Sequence, residues 1–320
     1  MLLEARGLNI YLETGAGPLS IVNNLDLDIP EGGVFGLAGE SGCGKSLTAL
    51  AIMGILPQNL RAEGEIRFKG RDLLKLPEAE FRALRGKELA MVFQEPMTSL
   101  NPVLRVDYQV REVITAHMGV SRNEADRMVL ELLRQVRIPS PEKRMREYPH
   151  QMSGGMRQRV MMAMAIACGP ALLIADEPTT ALDVTIEAQI LELLDTLRRE
   201  RGMSVLLITH DLGIIAENAE RVGIMYAGRL VELAGVRELF ASPKHPYTMG
   251  LLRSLPKGRG EGLKPIGGAV PRPGELPPGC KFSNRCEYVI EGCRKEEPEL
   301  RLLAEGHRAR CIRSEEIPWP

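Results

Sequence analysis

The residues with the clearest chemical potential form a glycine-rich loop between two apolar segments. Val34–Ala38 is followed by Gly39–Ser46 (GESGCGKS), and an apolar run continues over 47–56. The loop matches G-x-x-x-x-G-K-[ST], in which glycines turn backbone N–H groups around phosphate oxygens and the following helix directs its dipole at the same anion. We therefore predict a buried strand, a phosphate-binding loop and a helix, with Lys45 at the β- and γ-phosphates and Ser46 at Mg²⁺.

A pair of carboxylates follows another apolar segment. Residues 171–175 read ALLIA, and Asp176, Glu177 and Pro178 come directly afterwards. An apolar strand that ends in adjacent acids is the expected partner of a phosphate loop, because one acid can bind the Mg²⁺ shell and the other can polarise or deprotonate the attacking water. We assign the first role to Asp176 and the second to Glu177. The alternative is a solvated strand end, which the glycine loop upstream disfavours.

Other polar residues stand at the ends of predicted elements. Ser153, Gly154 and Gly155 open a predicted helix, which makes a second place suited to a phosphate. His210 follows a predicted buried strand and could sense or stabilise the γ-phosphate, although a lone histidine there is more often inert. Gln94 ends a short apolar strand before a proline- and asparagine-containing loop over 95–102. A glutamine at a strand end is usually only polar punctuation, so its role depends on the other motifs.

The elements that position these residues come from a chain of 320 residues, 44% hydrophobic and 26% charged, which suffices for a buried core and about two domains. The formal net charge of −1 gives no electrostatic footprint for nucleic acid. Residues 1–6 lack a secretory pattern, and the uncharged run Val160–Ala175 is shorter than the roughly 18 residues of a spanning helix. We expect a cytosolic protein with no nucleic-acid partner, and a buried helix, turn and strand over 160–175.

Periodicity separates a strand-rich part from a helical part. Alternating apolar residues over 2–30 and 64–68 predict an antiparallel β layer. Tyr11 in that layer could stack on adenine or could be a half-buried strand residue. Apolar residues at helical spacing predict helices over Glu78–Arg85, Val106–Met118, Arg122–Val136 and Ile186–Arg199, and an apolar run predicts a last buried strand over Val205–Thr209.

Taken in order, these motifs resemble those of the nucleotide-binding subunits of ABC transporters. The resemblance covers about the first 240 residues and rests on six motifs: Gly39–Ser46, Gln94, Ser153–Met156, Leu172–Glu177, Ala181–Asp183 and His210. Residues 94–102 (QEPMTSLNP), Met156 in the Ser153 motif, and residues 245–248 (HPYT) are similar to the oligopeptide/dipeptide importer ATPases. Met152 and Cys43 depart from the usual residues without removing a backbone donor.

The resemblance implies an α/β fold with a P-loop NTPase core of the ABC type, an antiparallel β subdomain and a helical subdomain. Residues 1–240 would form the nucleotide-binding domain, with the helical subdomain at about 95–155, and 241–320 a loop-rich, metal-binding appendage. ATP and Mg²⁺ would be the cofactors, with catalysis by Glu177, His210 and Gln94 and Mg²⁺ at Ser46, Gln94 and Asp176. The nucleotide-binding residues would be Tyr11, Gly39, Ser41, Gly42, Cys43, Gly44, Lys45, Ser46, Leu47, Ser153, Gly154, Gly155, Asp176 and Asp183.

The resemblance also implies partners. The first is a paralogous ATPase subunit in a head-to-tail heterodimer, in which the Ser153 loop of one subunit closes over ATP on the other. Two membrane permease subunits would be coupled to the nucleotide by Gln94 through the helical subdomain. The last partner is an extracytoplasmic substrate-binding protein. The chain would act peripherally at the cytoplasmic face of the inner membrane and power uptake of di- and oligopeptides. Nickel and oligosaccharide cargo stay open. A soluble ABC ATPase acting on DNA or ribosomes is the alternative of another class, disfavoured because residues 39–153 leave no room for a long coiled coil.

After residue 240 the composition shifts to proline, glycine and charge, and four of the six cysteines follow: Cys280, Cys286, Cys293 and Cys311. In a cytosolic protein such a cluster indicates a metal site rather than disulfides. The spacing lacks the C-x-x-C of common zinc sites, and four thiolates suit zinc or iron-sulfur. The resemblance to the importer family favours a structural [4Fe-4S] cluster, with Lys281, Arg285 and Arg294 partly offsetting its charge. Cys43 and Cys168 are interpreted as packing residues.

Overall fold

The computed structural model describes residues 1–95, 99–180, 182–255 and 265–319. The predicted loop over 95–102 therefore lies partly outside the described residues, and Ala181 lies wholly outside them. The chain divides into two compact units, Met1–Lys75 with Leu207–Pro320, and Leu76–Leu206. The division falls inside one strand, Ser204–Thr209.

The strands are β1 Leu3–Thr14, β2 Gly17–Ile29, β3 Val34–Ala38, β4 Leu60–Phe68, β5 Arg71–Asp72, β6 Leu89–Val92, β7 Leu172–Asp176, β8 Ser204–Thr209, β9 Arg221–Tyr226, β10 Arg229–Gly235, β11 Arg301–Ala304 and β12 His307–Ala309. The α-helices are α1 Lys45–Met53, α2 Glu78–Leu84, α3 Val106–Met118, α4 Arg122–Gln135, α5 Pro141–Arg144, α6 Gly154–Ile166, α7 Val184–Arg201, α8 Leu212–Asn218, α9 Val236–Ala241, α10 Pro246–Arg253 and α11 Glu291–Lys295.

The first unit contains the predicted antiparallel β layer, a sheet in the order β2-β1-β4-β5. Ala5 of β1 lies opposite Leu27 of β2 on one side and Ile66 of β4 on the other, and all three side chains are buried. Alternate residues of β1 therefore face a core while the residues between them are more exposed. The alternation that predicted this layer reflects that one-sided burial.

A second set of strands in the first unit carries the glycine loop. β3 pairs in parallel with β9, which pairs antiparallel with β10. All five residues of β3 are buried, as expected for a strand covered on both faces, and the loop leaves its carboxyl end. Beyond β10, β12 and then β11 continue the antiparallel pairing.

The second unit holds the parallel pair β6 and β7 and most of the helices. In α4, Ser121 caps the first turn, and Ala125, Val129, Leu132 and Leu133 recur at the spacing of one buried helix face. The helices predicted over 78–85, 106–118 and 122–136 are confirmed within one residue at each end. Among the residues that the structure describes, no helix combines the length and the apolar character needed to cross a bilayer.

The C-terminal region is more ordered than its composition predicts. It lies in the same compact unit as the glycine loop, and it contains a small apolar cluster of Met249, Cys311 and Ile317 with Tyr288 and Trp319 packed against it. This loop-rich region therefore packs around a small apolar cluster of its own.

Glu232 of β10 is one reason for this order. Its buried carboxylate accepts hydrogen bonds from the backbone N–H groups of Lys244 (2.6 Å) and His245 (2.9 Å). The same carboxylate lies 2.8 Å from Nε2 of His307 in β12. One buried side chain thus fixes two separate parts of the region, and polar and apolar contacts together replace the large core that the region lacks.

Candidate functional site

The glycine loop connects β3 to α1 through backbone conformations that favour glycine. Gly44, the residue before α1, has φ +105°, and a Cβ there would lie 2.8 Å from Cγ2 of Val22. Gly39 has φ +152°, and a Cβ would lie 2.2 Å from the carbonyl oxygen of Met225. Other residues therefore cannot hold this path without backbone movement. The loop conformation is that of a backbone anion site at a helix N-terminus.

Lys45 begins α1 and turns its ammonium group back into the loop. The side chain is buried, and Nζ donates to the carbonyl oxygens of Gly39 (2.7 Å) and Glu40 (3.2 Å) and approaches Sγ of Cys43 at 3.8 Å. Burial raises the pKa of the Cys43 thiol. Lys45 therefore places a positive charge at the centre of the loop, where a phosphate group would need it.

The other nucleotide residues predicted in this unit lie around that charge or along β1. Ser41 and Gly42 are exposed in the loop, while Ser46 and Leu47 are half-buried in the first turn of α1. Tyr11 is half-buried in β1, and the Arg61 guanidinium lies 4.6 Å from its ring centroid. One face of the Tyr11 ring thus already carries a cation, and adenine stacking stays a prediction.

His210 is exposed directly after β8. The next residue, Asp211, begins α8 and accepts the N–H of Gly213 at 2.6 Å. The histidine therefore stands between a buried strand and a capped helix, so its backbone is fixed while its side chain reaches solvent. The proposed contact of His210 with the γ-phosphate stays a prediction.

In the second unit, the structure brings Gln94 and Glu177 together. β6 and β7 pair in parallel with Val92 opposite Ala175, so the residues two positions later lie side by side beyond the strand ends. Nε2 of Gln94 donates to Oε2 of Glu177 at 3.0 Å. A glutamine that sequence alone treats as punctuation is thus a direct partner of the predicted base.

Glu177 is also held by its own backbone and by Thr180. It has φ +45°, an uncommon conformation for a residue other than glycine, and such strain concentrates at functional sites. The Thr180 hydroxyl donates to Oε2 of Glu177 at 2.9 Å. Asp176, one residue earlier, is only 4% exposed at the end of β7. Sequence reasoning missed Thr180, although its hydroxyl three residues after an acid at a strand end is a usable signal.

Ser153 and Asp183 both begin helices. The Ser153 side chain accepts the N–H of Met156 at the start of α6, and Asp183 accepts that of Ile186 at the start of α7. A Cβ at Gly155 would lie 2.7 Å from Cγ2 of Ile186, whereas Gly154 has only ordinary contacts. The glycine at 155 therefore also serves the packing of α6 against α7, a role that its phosphate-binding interpretation did not include.

The four C-terminal cysteines line one small cavity of about 10 Å³. His245, Phe282, Tyr288 and Ile317 also contribute to its wall. The backbone N–H of Cys280 donates to the carbonyl oxygen of Cys293 at 2.8 Å, and a Cβ at Gly279 would lie 2.3 Å from that oxygen. Residues that are far apart in sequence are therefore gathered tightly around a single space.

All six cysteines of the chain are free thiols. Burial raises the pKa of Cys286 to about 11 and that of Cys311 to about 12, and the charges of neighbouring cysteines act in the same direction. Within the described residues, no group of three or more His, Cys, Asp or Glu is placed to hold a metal ion. The predicted metal site is therefore not confirmed, although the gathering of its cysteines is.

Arg285 differs from its predicted role beside the cysteines. Its guanidinium pairs with the carboxylate of Glu40 in the glycine loop at 2.7 and 3.0 Å, so it is committed to that charge. Lys281 likewise pairs with Glu297 at 2.9 Å. Both cations are thus already paired with carboxylates, and their offset of a cluster's charge stays a prediction.

Comparison with known protein families gives two matches. The family described as ABC transporter matches residues 22–180, and the family described as oligopeptide/dipeptide transporter, C-terminal region, matches residues 231–293. The first match contains the glycine loop and the carboxylate pair. The second contains the segment from β10 to Cys293 and so includes three of the four cavity cysteines.

Similar proteins span almost the whole chain. A probable peptide ABC transporter ATP-binding protein, y4tR of Sinorhizobium fredii, is 49% identical over 99% of this chain and 96% of its own length. The dipeptide transport ATP-binding protein DppD of Escherichia coli is 47% identical over 97% of this chain and 96% of its own length. Among solved structures, the ATP-binding cassette MJ0796 bound to ADP and Pi has a TM-score of 0.65 at 28% identity, covering 73% of this chain and 99% of that one.

Proposed function

The chain belongs to the ABC transporter family as an ATP-binding subunit, and we propose that it powers the uptake of di- and oligopeptides through a separate membrane permease. The peptide cargo is inferred from the similarity of the chain to known families in two regions, the ATPase part and the oligopeptide/dipeptide C-terminal part. Relatives of nearly equal length carry peptide or dipeptide transport in their names. Nickel and oligosaccharides are the alternative cargoes, and an uptake assay with labelled dipeptides distinguishes them.

The proposed hydrolysis uses two kinds of residue, those that bind the nucleotide with its metal ion and one that accepts a proton. Lys45 and the loop N–H groups would bind the phosphates, and Ser46 and Asp176 would hold Mg²⁺, which neutralises charge on the phosphates when bound. Glu177 would take the proton of the attacking water. The contact of Gln94 and Thr180 with Oε2 of Glu177 supports this role, because two donors hold the carboxylate in place beyond the end of β7.

We assign the remaining partners by the same family membership. The Ser153–Gly155 helix start would close over ATP bound to the loop of a second, paralogous ATPase subunit. Two permease subunits and an extracytoplasmic substrate-binding protein would complete an importer at the cytoplasmic face of the inner membrane. The start of α6 after the exposed Ser153 supports the first assignment, because the N–H groups of a first helical turn lack partners within the helix.

A [4Fe-4S] cluster in the cysteine cavity is the finer part of the proposal. Four thiols, two of them buried and two partly buried, line one space, and four thiolates placed together need positive charge to be stable. Zinc is the alternative, but it requires sulfur atoms at about 2.3 Å from a single point. The cluster is preferred only because the cysteine pattern resembles that of the importer family. Its role would be to hold the C-terminal region together.

Replacement of the proposed base tests the hydrolytic assignment. Glu177→Gln keeps the hydrogen bonds at this position but removes proton affinity, so we expect ATP turnover of the assembled transporter to fall by about 10²–10⁴-fold. Binding of ATP to the isolated chain should be retained. Turnover is measured by phosphate release, and binding by titration with a fluorescent ATP analogue.

The matched control is Glu192→Gln. Glu192 of α7 makes an exposed ion pair with Arg137, and such pairs contribute little to stability. Near-normal turnover in Glu177→Gln, or an equal loss in both variants, would contradict the assignment.

A further inference from the structure

The glycine loop contacts the C-terminal region at Glu40. Its backbone N–H donates to Oη of Tyr247 at 2.9 Å. Its carboxylate accepts two hydrogen bonds from Arg285, from Nη1 to Oε2 at 2.7 Å and from Nη2 to Oε1 at 3.0 Å. Its carbonyl oxygen accepts from Lys45. The second residue of the loop is thus held at its amide, its carbonyl and its side chain.

Arg285 is itself fixed from several sides. Its side chain is 4% exposed, although that of Glu40 is 31% exposed. Nε donates to the carbonyl oxygen of Gly267 at 2.8 Å, and the guanidinium lies 5.7 Å from the Tyr226 ring centroid. The bond with Glu40 raises the pKa of Arg285. A bidentate pair whose guanidinium is buried is directional, unlike a mobile surface ion pair.

Tyr247 connects the same point to the cysteine cavity. It is fully buried, and its ring centroid lies 4.7 Å from that of Tyr226 and 5.4 Å from that of Phe282. Phe282 lies between Cys280 and Cys286 in sequence and forms part of the cavity wall. Arg285 precedes Cys286 directly. Both contacts to Glu40 therefore arise from side chains that lie next to Phe282 of the cavity wall.

We propose that Arg285 and Tyr247 are positioning residues for nucleotide binding, which hold Glu40 so that the C-terminal region sets the ATP affinity of the loop. The proposal rests on the assigned function of the Lys45 loop. An unpaired carboxylate in a loop that binds a polyanion would repel it, and Arg285 cancels that charge. Tyr247 fixes the direction of the Glu40 amide, which sets the path of the residues that follow.

The coupling is reciprocal by thermodynamic linkage. If the C-terminal region strengthens ATP binding, ATP must stabilise the C-terminal region to the same extent. Saturating Mg-ATP should therefore slow proteolysis of residues 265–319 in the full chain. A region with a merely structural role would show no such protection beyond that of the whole chain.

Arg285→Ala in the anaerobically purified full chain is the main test. We expect ATP affinity to weaken by about tenfold, within the usual range of coupling between sites. Glu40→Gln combined with Arg285→Ala removes both charges and should recover most of the affinity, whereas the uncompensated single variant should not. Arg285→Lys, which keeps the charge but loses the bidentate geometry, should lie between. Tyr247→Phe should weaken binding by less than Arg285→Ala.

Arg253→Ala is the matched control, since Arg253 contacts Tyr288 and Trp319 but not the loop. Unchanged affinity in Arg285→Ala, equal loss in Arg253→Ala, or no recovery in the double variant would overturn the proposal. If Arg285→Ala does not fold, the ATP affinities of Arg285→Lys and Tyr247→Phe decide whether the proposal holds. Lys45→Ala tests the assigned function of the loop separately from the present proposal, because normal ATP binding by that variant would refute the function of the loop itself.

Discussion

The phosphate loop and the cysteine cavity lie in one compact unit but are built in opposite ways. The loop is eight consecutive residues, Gly39–Ser46, and its chemistry comes from the backbone and one lysine. The cavity collects cysteines from residues 280 to 311, and its chemistry comes from side chains. A backbone site depends on where side chains are absent, whereas a side-chain site depends on which ones the fold gathers.

This difference explains why one site has a compact sequence signature and the other does not. Glycines at fixed positions permit the loop conformation wherever a strand precedes a helix. No such local rule gathers four cysteines, because their positions depend on several separate elements, the turn at Gly279, the short helix α11 and the strand β12. The two sites should therefore respond to different kinds of substitution.

Addition of a single methyl group should damage the loop most. In Gly39→Ala, the new Cβ would lie 2.2 Å from a backbone oxygen, so we expect loss of measurable ATP binding and about 2–4 kcal/mol of unfolding free energy. In Gly42→Ala the space is open and only the positive φ is strained, at about 1 kcal/mol. Calorimetry and nucleotide titration measure both. Equal behaviour of the two variants would show that the loop does not depend on its backbone path.

Exchange of one sulfur for oxygen should damage the cavity and not the loop. Cys286→Ser should lose the brown colour and the iron and acid-labile sulfide expected of anaerobically purified protein. Cleavage within residues 265–319 should become about tenfold faster, a measure of local opening. Cys168→Ser, which changes a thiol outside the cavity, is the control. Stoichiometric zinc in colourless wild-type protein would replace the cluster, and neither metal would remove the role assigned to these cysteines.

A lower pH should destabilise the folded protein through His245, with a smaller effect than the substitutions above. Burial lowers the pKa of His245 to about 3, while its Nδ1 accepts the N–H of Tyr247 at the start of α10. Above pH 6.5 the histidine is neutral in both states. Below it, the unfolded chain binds a proton that the folded chain does not, so stability falls as the pH drops toward 3.

Between pH 6.5 and 5.5 this effect costs about 1 kcal/mol of unfolding free energy. His245→Asn keeps a helix-capping acceptor and should flatten that slope when unfolding is followed by urea titration at each pH. His150→Asn, at an exposed position, should leave the slope unchanged. An unaltered slope in His245→Asn would show that another group controls the acid response.

The strand before the glycine loop and the helix after it were predicted well from the sequence, because apolar periodicity and glycines act locally. α1 was expected to continue to residue 56, but Gly54 takes the left-handed conformation and ends the helix at Met53. Gln94 and Glu177 were each placed at a strand end. Their contact was not predicted, because it depends on β6 and β7 being neighbours in register, and single-sequence periodicity does not determine pairing.

The contact between Glu40 and Arg285 could not have been predicted, since 245 residues separate them. Both residue types are common near surfaces, and neither position has a pattern that indicates burial. The same holds for Glu232 with His307. Long-range polar contacts of this kind follow from the packing of the whole unit rather than from any segment of it.

The short hairpin of β11 and β12 also protects the sheet from other molecules. β10 is buried along nearly all its length, and β12 covers its outer side, with the N–H of Arg310 donating to Val231 at 2.8 Å. Removal of the hairpin would leave an apolar edge strand with unpaired backbone groups, which invites association with other chains. The strand that becomes the edge instead, β11, has four residues, three of them exposed and one an arginine. The C-terminal hairpin thus leaves only a short edge strand, at which we expect less association with other chains.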